Sequence, residues 1–141
     1  QEVAATDQRV PFSDLDRGQG EAILVLEDDP DVRDLTVTIL DGLGYRVLEA
    51  ADASAAMRIL EEESDSVDLL LSDVVLPGGV SGPELATRAK DLYPKLKPVF
   101  MSGYAADPRT HADMPDFDEA ILTKPFTRTD LAKVVHDTLA T

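Results

Sequence analysis

A parallel β-sheet with helices on both faces is the architecture this 141-residue sequence predicts, and three observations lead to it. Apolar runs of strand length and segments of helical periodicity take turns five times along the chain. Runs such as Ala22-Ile23-Leu24-Val25-Leu26 and Leu69-Leu70-Leu71 are continuous rather than alternating, as strands buried on both faces are. The length suits one domain, which at this size hides roughly 68–70% of its unfolded surface and needs no staple to fold.

Residues 1–20 are polar, end in Arg17-Gly18-Gln19-Gly20, and read as an N-terminal linker or tail; residues 21–141 form the domain. The first strand is Ala22–Leu26. Asp31 to Leu43 places Val32, Leu35, Ile39, Leu40 and Leu43 at helical spacing, and Gly44 closes it. Tyr45-Arg46-Val47-Leu48-Glu49 alternates like a strand nearer the sheet edge. Ser54 is the expected cap of a helix that turns Ala55, Ile59 and Leu60 inward and Glu61-Glu62-Glu63 to water. Val67–Leu71 is the next central strand. Ser81-Gly82-Pro83-Glu84 starts a helix with proline in its first turn, reaching about Leu92. Pro98–Met101 and Ala120–Leu122 are two further strands, with a weak helix expected between Ala105 and Asp118. Thr127 caps the last helix, which carries Leu131, Val134, Val135 and Leu139 on one face.

Composition closes off several functions. Thirteen Lys and Arg against 28 Asp and Glu give a net charge of -15, which argues against nucleic acid or an anionic membrane as partner. The absence of Cys excludes thiol catalysis and thiolate metal sites, and two His make a multi-His site unpromising. No apolar run approaches the roughly 20 residues that span a bilayer, and no signal-peptide pattern opens the chain, so a cytoplasmic setting is expected. The first residue is Gln rather than Met, as in a piece cut from a longer protein.

In an open parallel sheet the functional crevice lies at the carboxyl ends of the strands. Glu27-Asp28-Asp29 follow the first strand, Asp73 the third, Ser102 the fourth and Lys124 the fifth. Each alone has a structural explanation: a polar helix start, a turn residue, a bend before glycine. Together, at strand ends in one alternating pattern, they gather carboxylates, a hydroxyl and an ammonium. Clustered carboxylates repel unless a cation sits among them, and Mg²⁺ suits such an oxygen set while leaving room for a phosphate oxygen. These are the parts that hold a phosphoryl group in transfer to a carboxylate, with Asp73 as the nucleophile.

Ile23-Leu24-Val25-Leu26-Glu27-Asp28-Asp29-Pro30, Asp68-Leu69-Leu70-Leu71-Ser72-Asp73 with Pro77 and Gly82, Met101-Ser102-Gly103-Tyr104 and Lys124-Pro125-Phe126 resemble, in order and spacing, the receiver domain of two-component response regulators. The resemblance covers about residues 21–140. It implies a three-layer α/β/α flavodoxin-like fold, with a five-stranded parallel sheet in the order 2-1-3-4-5 and five helices. It also implies that Asp73 accepts a phosphoryl group from a phosphohistidine. Asp28 and Asp73 would bind Mg²⁺ directly with the backbone carbonyl of Val75, and Glu27 would help through water. Ser102 would hydrogen-bond the phosphoryl group, Lys124 would pair with it, and Lys124-Pro125 would be cis.

Three departures stand out: Glu27 where Asp is commoner, a Pro77–Gly82 loop one residue longer than usual, and Ile121 where an aromatic switch residue usually sits. An aliphatic side chain has no ring to swing, so a domain that stores or relays phosphoryl groups is expected. The glycine-rich lead and the Met101–Ala105 stretch resemble receivers fused to hybrid sensor histidine kinases. The partner implied is a histidine kinase dimerisation/phosphotransfer domain or a histidine phosphotransferase, with no nucleic acid and no direct membrane contact. A standalone single-domain regulator is the near alternative. A Mg²⁺-dependent phosphatase with an aspartyl nucleophile is more distant, because Val75 stands where such enzymes place a second acid. A flavin binder is disfavoured, because no glycine-rich cradle follows the first strand.

Overall fold

In the sheet, β1 (Ala22–Leu26) is flanked by β2 (Arg46–Ala50) and β3 (Leu69–Asp73), followed outward by β4 (Lys97–Ser102) and β5 (Ala120–Thr123). All pairings are parallel, giving the expected order β2-β1-β3-β4-β5. The structure, a computed structural model, describes residues 18–63, 66–76, 80–102 and 120–140. Within these residues the helices are α1 (Pro30–Gly42), α2 (Ala53–Glu63), α3 (Gly82–Leu92) and α4 (Arg128–Leu139). The weak helix expected between Ala105 and Asp118 lies outside the described residues.

The continuous apolar runs occupy the middle of the sheet because each side of a parallel strand there meets a helix layer. Leu24, Leu26, Leu70 and Phe100 point to one face and pack with Ala56 and Leu60 of α2 and Leu85 and Ala89 of α3. Their sequence neighbours Ile23, Val25, Leu71 and Val99 point to the other and meet Ile39 and Leu40 of α1 and Leu131 and Val135 of α4. A two-residue side-chain period therefore feeds two cores. β2, at the edge, departs from the alternation read from its sequence: Arg46 and Glu49, three residues apart, are exposed on opposite faces, and Val47 and Leu48 are half-buried, one against each core.

Helix ends follow the caps, with one correction. Asp29 accepts from the amides of Asp31 and Val32, Ser81 from that of Glu84, and Thr127 forms a reciprocal capping box with Asp130. For α2 the cap is Asp52 rather than Ser54: its Oδ1 accepts the Ala55 amide at 2.8 Å, and Ser54 is exposed in the first turn. Both residue types cap well, and the carboxylate two positions earlier reaches the amide first. β3 also starts at Leu69 rather than Val67 and runs on to Asp73. The Asp68 carboxylate takes the Ala22 amide at 2.9 Å, so the carboxylate forms the start of this edge of the pairing.

Ahead of β1, Gly18 and Gly20 donate to the carbonyls of Leu43 and Gly44 at 2.7 and 3.1 Å, against the turn between α1 and β2. Gly18 lies on the buried ring of Tyr45, where any Cβ would collide with the ring. Gly44 turns with φ +98°, a conformation glycine adopts without steric cost.

Candidate functional site

The carboxyl ends of β1, β3 and β5 bring together the charged residues picked from the sequence. Glu27 follows β1 and is 1% exposed; Asp73 ends β3 and is 7% exposed. Lys124, just past β5, reaches both: its Nζ lies 2.6 Å from Glu27 Oε1 and 2.6 Å from Asp73 Oδ1. Asp28 is exposed, and one carboxylate oxygen from each of Glu27, Asp28 and Asp73 falls within 4.8 Å of the others. Asp29, third in the acidic run, is turned away as the α1 cap. Ser102 ends β4 with 2% exposure, and its carbonyl accepts the Lys124 amide at 2.7 Å, which sets the lysine beside it. Val75 lies two residues beyond Asp73 and is 61% exposed. Ile121 is also exposed, on the edge strand β5, and the Lys124–Pro125 peptide is cis. Gly103 and Tyr104 lie outside the described residues.

Burial and pairing divide the charge unevenly. Burial pushes the Asp73 carboxyl up to about 7, and its hydrogen bond to Glu27 pushes the same way, against the pull of Lys124. At Glu27 burial also works against the charge. The bonds it accepts from Asp73 and Lys124 and from the Asp29 amide outweigh burial and hold the carboxyl below its usual range. Burial opposes the Lys124 charge too, yet its bonds to Asp73 and Glu27 keep its pKa above the ordinary value. Below about pH 7 one proton and one ammonium thus neutralise two buried carboxylates.

The direct Glu27–Lys124 contact is the element the sequence did not disclose. Residues 97 apart in the chain meet only because β1 and β5 end at the same edge of one sheet. The site fits a hard divalent cation. Octahedral Mg²⁺ spaces its oxygens roughly 2.9 to 4.1 Å apart, a span this carboxylate trio reaches with small adjustments. The exposed Asp28 keeps one side open to water and to an incoming oxygen.

Gly82 supports the site from below. Its amide donates to Val74 O at 2.7 Å, and a Cβ there would collide with the Asp73 carbonyl oxygen and lie 3.1 Å from Ser72 Oγ. Gly82→Ala is therefore expected to destabilise the domain by about 2 kcal/mol or more, since neither backbone can retreat. Urea unfolding measures this, and a variant as stable as the wild type would show that the α3 start is free to move away.

A family model for the response regulator receiver domain matches residues 23–136. The sensor kinase CckA of Brucella abortus (strain 2308) is 36% identical over 137 residues, covering 97% of this chain. The response regulator receiver protein CpdR of the same organism is 38% identical over 117 residues, covering 83% of this chain. This chain spans 14% of the length of CckA and 95% of that of CpdR. A crystal structure of the receiver domain from the hybrid histidine kinase CckA matches with a TM-score of 0.70 at 36% identity, covering 84% of this chain and 98% of that one.

Proposed function

The chain belongs to the response regulator receiver domain family, and from that membership we propose that Asp73 takes a phosphoryl group from the phosphohistidine of a two-component partner. The observation that carries the reading is the Glu27–Asp73–Lys124 cluster with Asp28 beside it at the carboxyl edge of the sheet. An ionised Asp73 oxygen attacks phosphorus, the P–N bond to the donor imidazole breaks, and an acyl phosphate forms. Asp28 and Asp73, with the Val75 carbonyl, are the direct ligands proposed for Mg²⁺ and Glu27 a contact through water; the ion, when bound, would neutralise charge on the phosphoryl oxygens. Ser102 supplies a hydroxyl at the end of the neighbouring strand. The partner is proposed to be a kinase dimerisation/phosphotransfer domain or a histidine phosphotransferase, met in the cytoplasm. Among the described residues no helix is long and apolar enough to cross a membrane.

One observation favours a hybrid-kinase context over a standalone regulator. The alignment with CckA covers 97% of the chain, so it must run through most of the residues ahead of β1, whereas that with CpdR covers 83%. A phosphatase finds no support, because an exposed valine at position 75 cannot act as an acid. Phosphorylation by a phosphohistidine donor, followed by mass spectrometry of the peptides, tests the acceptor. The mark belongs on Asp73, and a mark on another residue overturns the reading.

Lys124 has a separate part. Once Asp73 becomes an acyl phosphate, the ammonium loses one carboxylate partner and gains a phosphoryl oxygen as the nearest replacement. Lys124→Ala is expected to keep the fold and still bind metal, yet lose most of the amide shift changes that beryllofluoride induces in the wild type. An undiminished response in the variant would remove Lys124 from the coupling.

A further inference from the structure

Asp28 is the one exposed carboxylate of the cluster, with no packed wall to hold it, so its direction depends on the two peptides that flank it. Both are pinned. On the far side, the Asp29 amide donates to Glu27 Oε2 at 3.0 Å. On the near side, the Glu27 carbonyl accepts from Arg33 Nη1 at 2.8 Å. Arg33 stands in the first half of α1 with its side chain 20% exposed, and its Nε lies 3.4 Å from Glu49 Oε1 at the end of β2. One guanidinium thus joins α1, the β1 end and the β2 end, using separate nitrogens of its fork for the carbonyl and the carboxylate.

We propose that Arg33 is a positioning residue for the divalent-cation site, fixing the Glu27–Asp28 peptide so that the Asp28 carboxylate stays aimed at Glu27 and Asp73. The proposal rests on the reading of this cluster as a Mg²⁺ site. It makes a choice that charge alone would reverse. A guanidinium bonded to the carbonyl of a site residue repels a divalent cation held there, so a purely electrostatic Arg33 weakens metal binding and its removal strengthens it. A clamp does the opposite: without it the exposed loop spreads over many conformations, and the cation must gather them. Partners that orient metal ligands are typically worth a factor of about 10 to 100 in affinity.

The test is Mg²⁺ titration of the full 141-residue chain, followed by backbone amide shifts, in the wild type, Arg33→Met and Arg33→Lys. Arg33→Met keeps an apolar stem over the same surface; Arg33→Lys keeps the charge but not the fork. The expected result is binding about tenfold weaker in Arg33→Met and intermediate in Arg33→Lys, with faster exchange of the Asp28 and Asp29 amides in both metal-free variants. Tighter binding in Arg33→Met with Arg33→Lys like the wild type would reduce Arg33 to a charge and overturn the proposal, as would equal affinity in all three. Should Arg33→Met not fold, Arg33→Lys decides alone: unchanged affinity and amide exchange overturn the clamp. Absence of Mg²⁺-dependent shifts in the wild type is a different failure, which takes down the metal reading and this inference together.

Discussion

Asp73→Asn is expected to take up no phosphoryl group and, without metal, to melt higher than the wild type, by a margin that grows with pH. The loss of uptake is complete because the amide offers no anionic oxygen to phosphorus. The gain in stability follows from the carboxyl's displaced titration, about 7 in the fold against 3.8 in the open chain. Below the lower value both states hold the proton and the side chain costs nothing. Between the two, folding takes up a proton, and the wild type loses stability relative to the variant as pH rises. Above about 7 the full cost of a buried charge is present and the difference levels off. Three units at about 1.4 kcal/mol each set an upper bound near 4 kcal/mol with the pull of Lys124 already included, and relaxation of the site around the charge brings the net to about 2 kcal/mol. For a domain of this size that is on the order of 5 °C in Tm at pH 8, shrinking towards zero near pH 4. Melting curves of both proteins in EDTA across that range decide it, and a gap that does not change with pH would contradict the burial argument.

Removing Mg²⁺ with EDTA should stop modification of the wild type by acetyl phosphate, and acid should imitate the chelator by degrees. Without a cation the crevice meets an incoming anion with Glu27, Asp28 and, when ionised, Asp73, against the single ammonium of Lys124. The cation must also displace the Asp73 proton, since metal ligands bind deprotonated. Apparent Mg²⁺ affinity is therefore flat above about pH 8, is about twofold lower at pH 7, falls about fivefold more from pH 7 to 6, and then close to tenfold per unit. Calorimetry in buffers of different ionisation enthalpy should show nearly one proton released at pH 6 and almost none at pH 8.5. Affinity independent of pH between 6 and 8 would mean that Asp73 enters the complex already ionised.

The sheet was readable because strands buried on both faces leave continuous apolar runs, and because a parallel sheet puts one end of every strand to use. Glu27, Asp28, Asp73, Ser102 and Lys124 could be named from that rule alone, before any resemblance. Less legible were choices between equivalent local solutions. Asp52 and Ser54 both cap helices, and only the backbone geometry decides between them. Least legible were contacts whose partners lie far apart in the chain or involve main-chain atoms. Nothing in Arg33 announces that it will reach back to the Glu27 carbonyl, and Glu27 gives no sign of sharing a lysine with Asp73. Gly82 does leave a trace, a glycine wedged between a cap serine and a first-turn proline, although its collision partner is invisible until β3 and α3 are side by side.

The seat of Gly18 on Tyr45 fixes more than a few backbone bonds. It lies at the amino end of the sheet, and Asp73 at the carboxyl end, so chain arriving through Gly18 joins the pole opposite Asp73. A five-residue strand is about 17 Å long, the least distance between those poles. A donor fused ahead of Gly18 would have to travel around the domain before its imidazole can face Asp73. That detour consumes about five residues of fully stretched chain. For any fused donor, the linker must first cover that distance before its effective concentration at Asp73 is anything but zero.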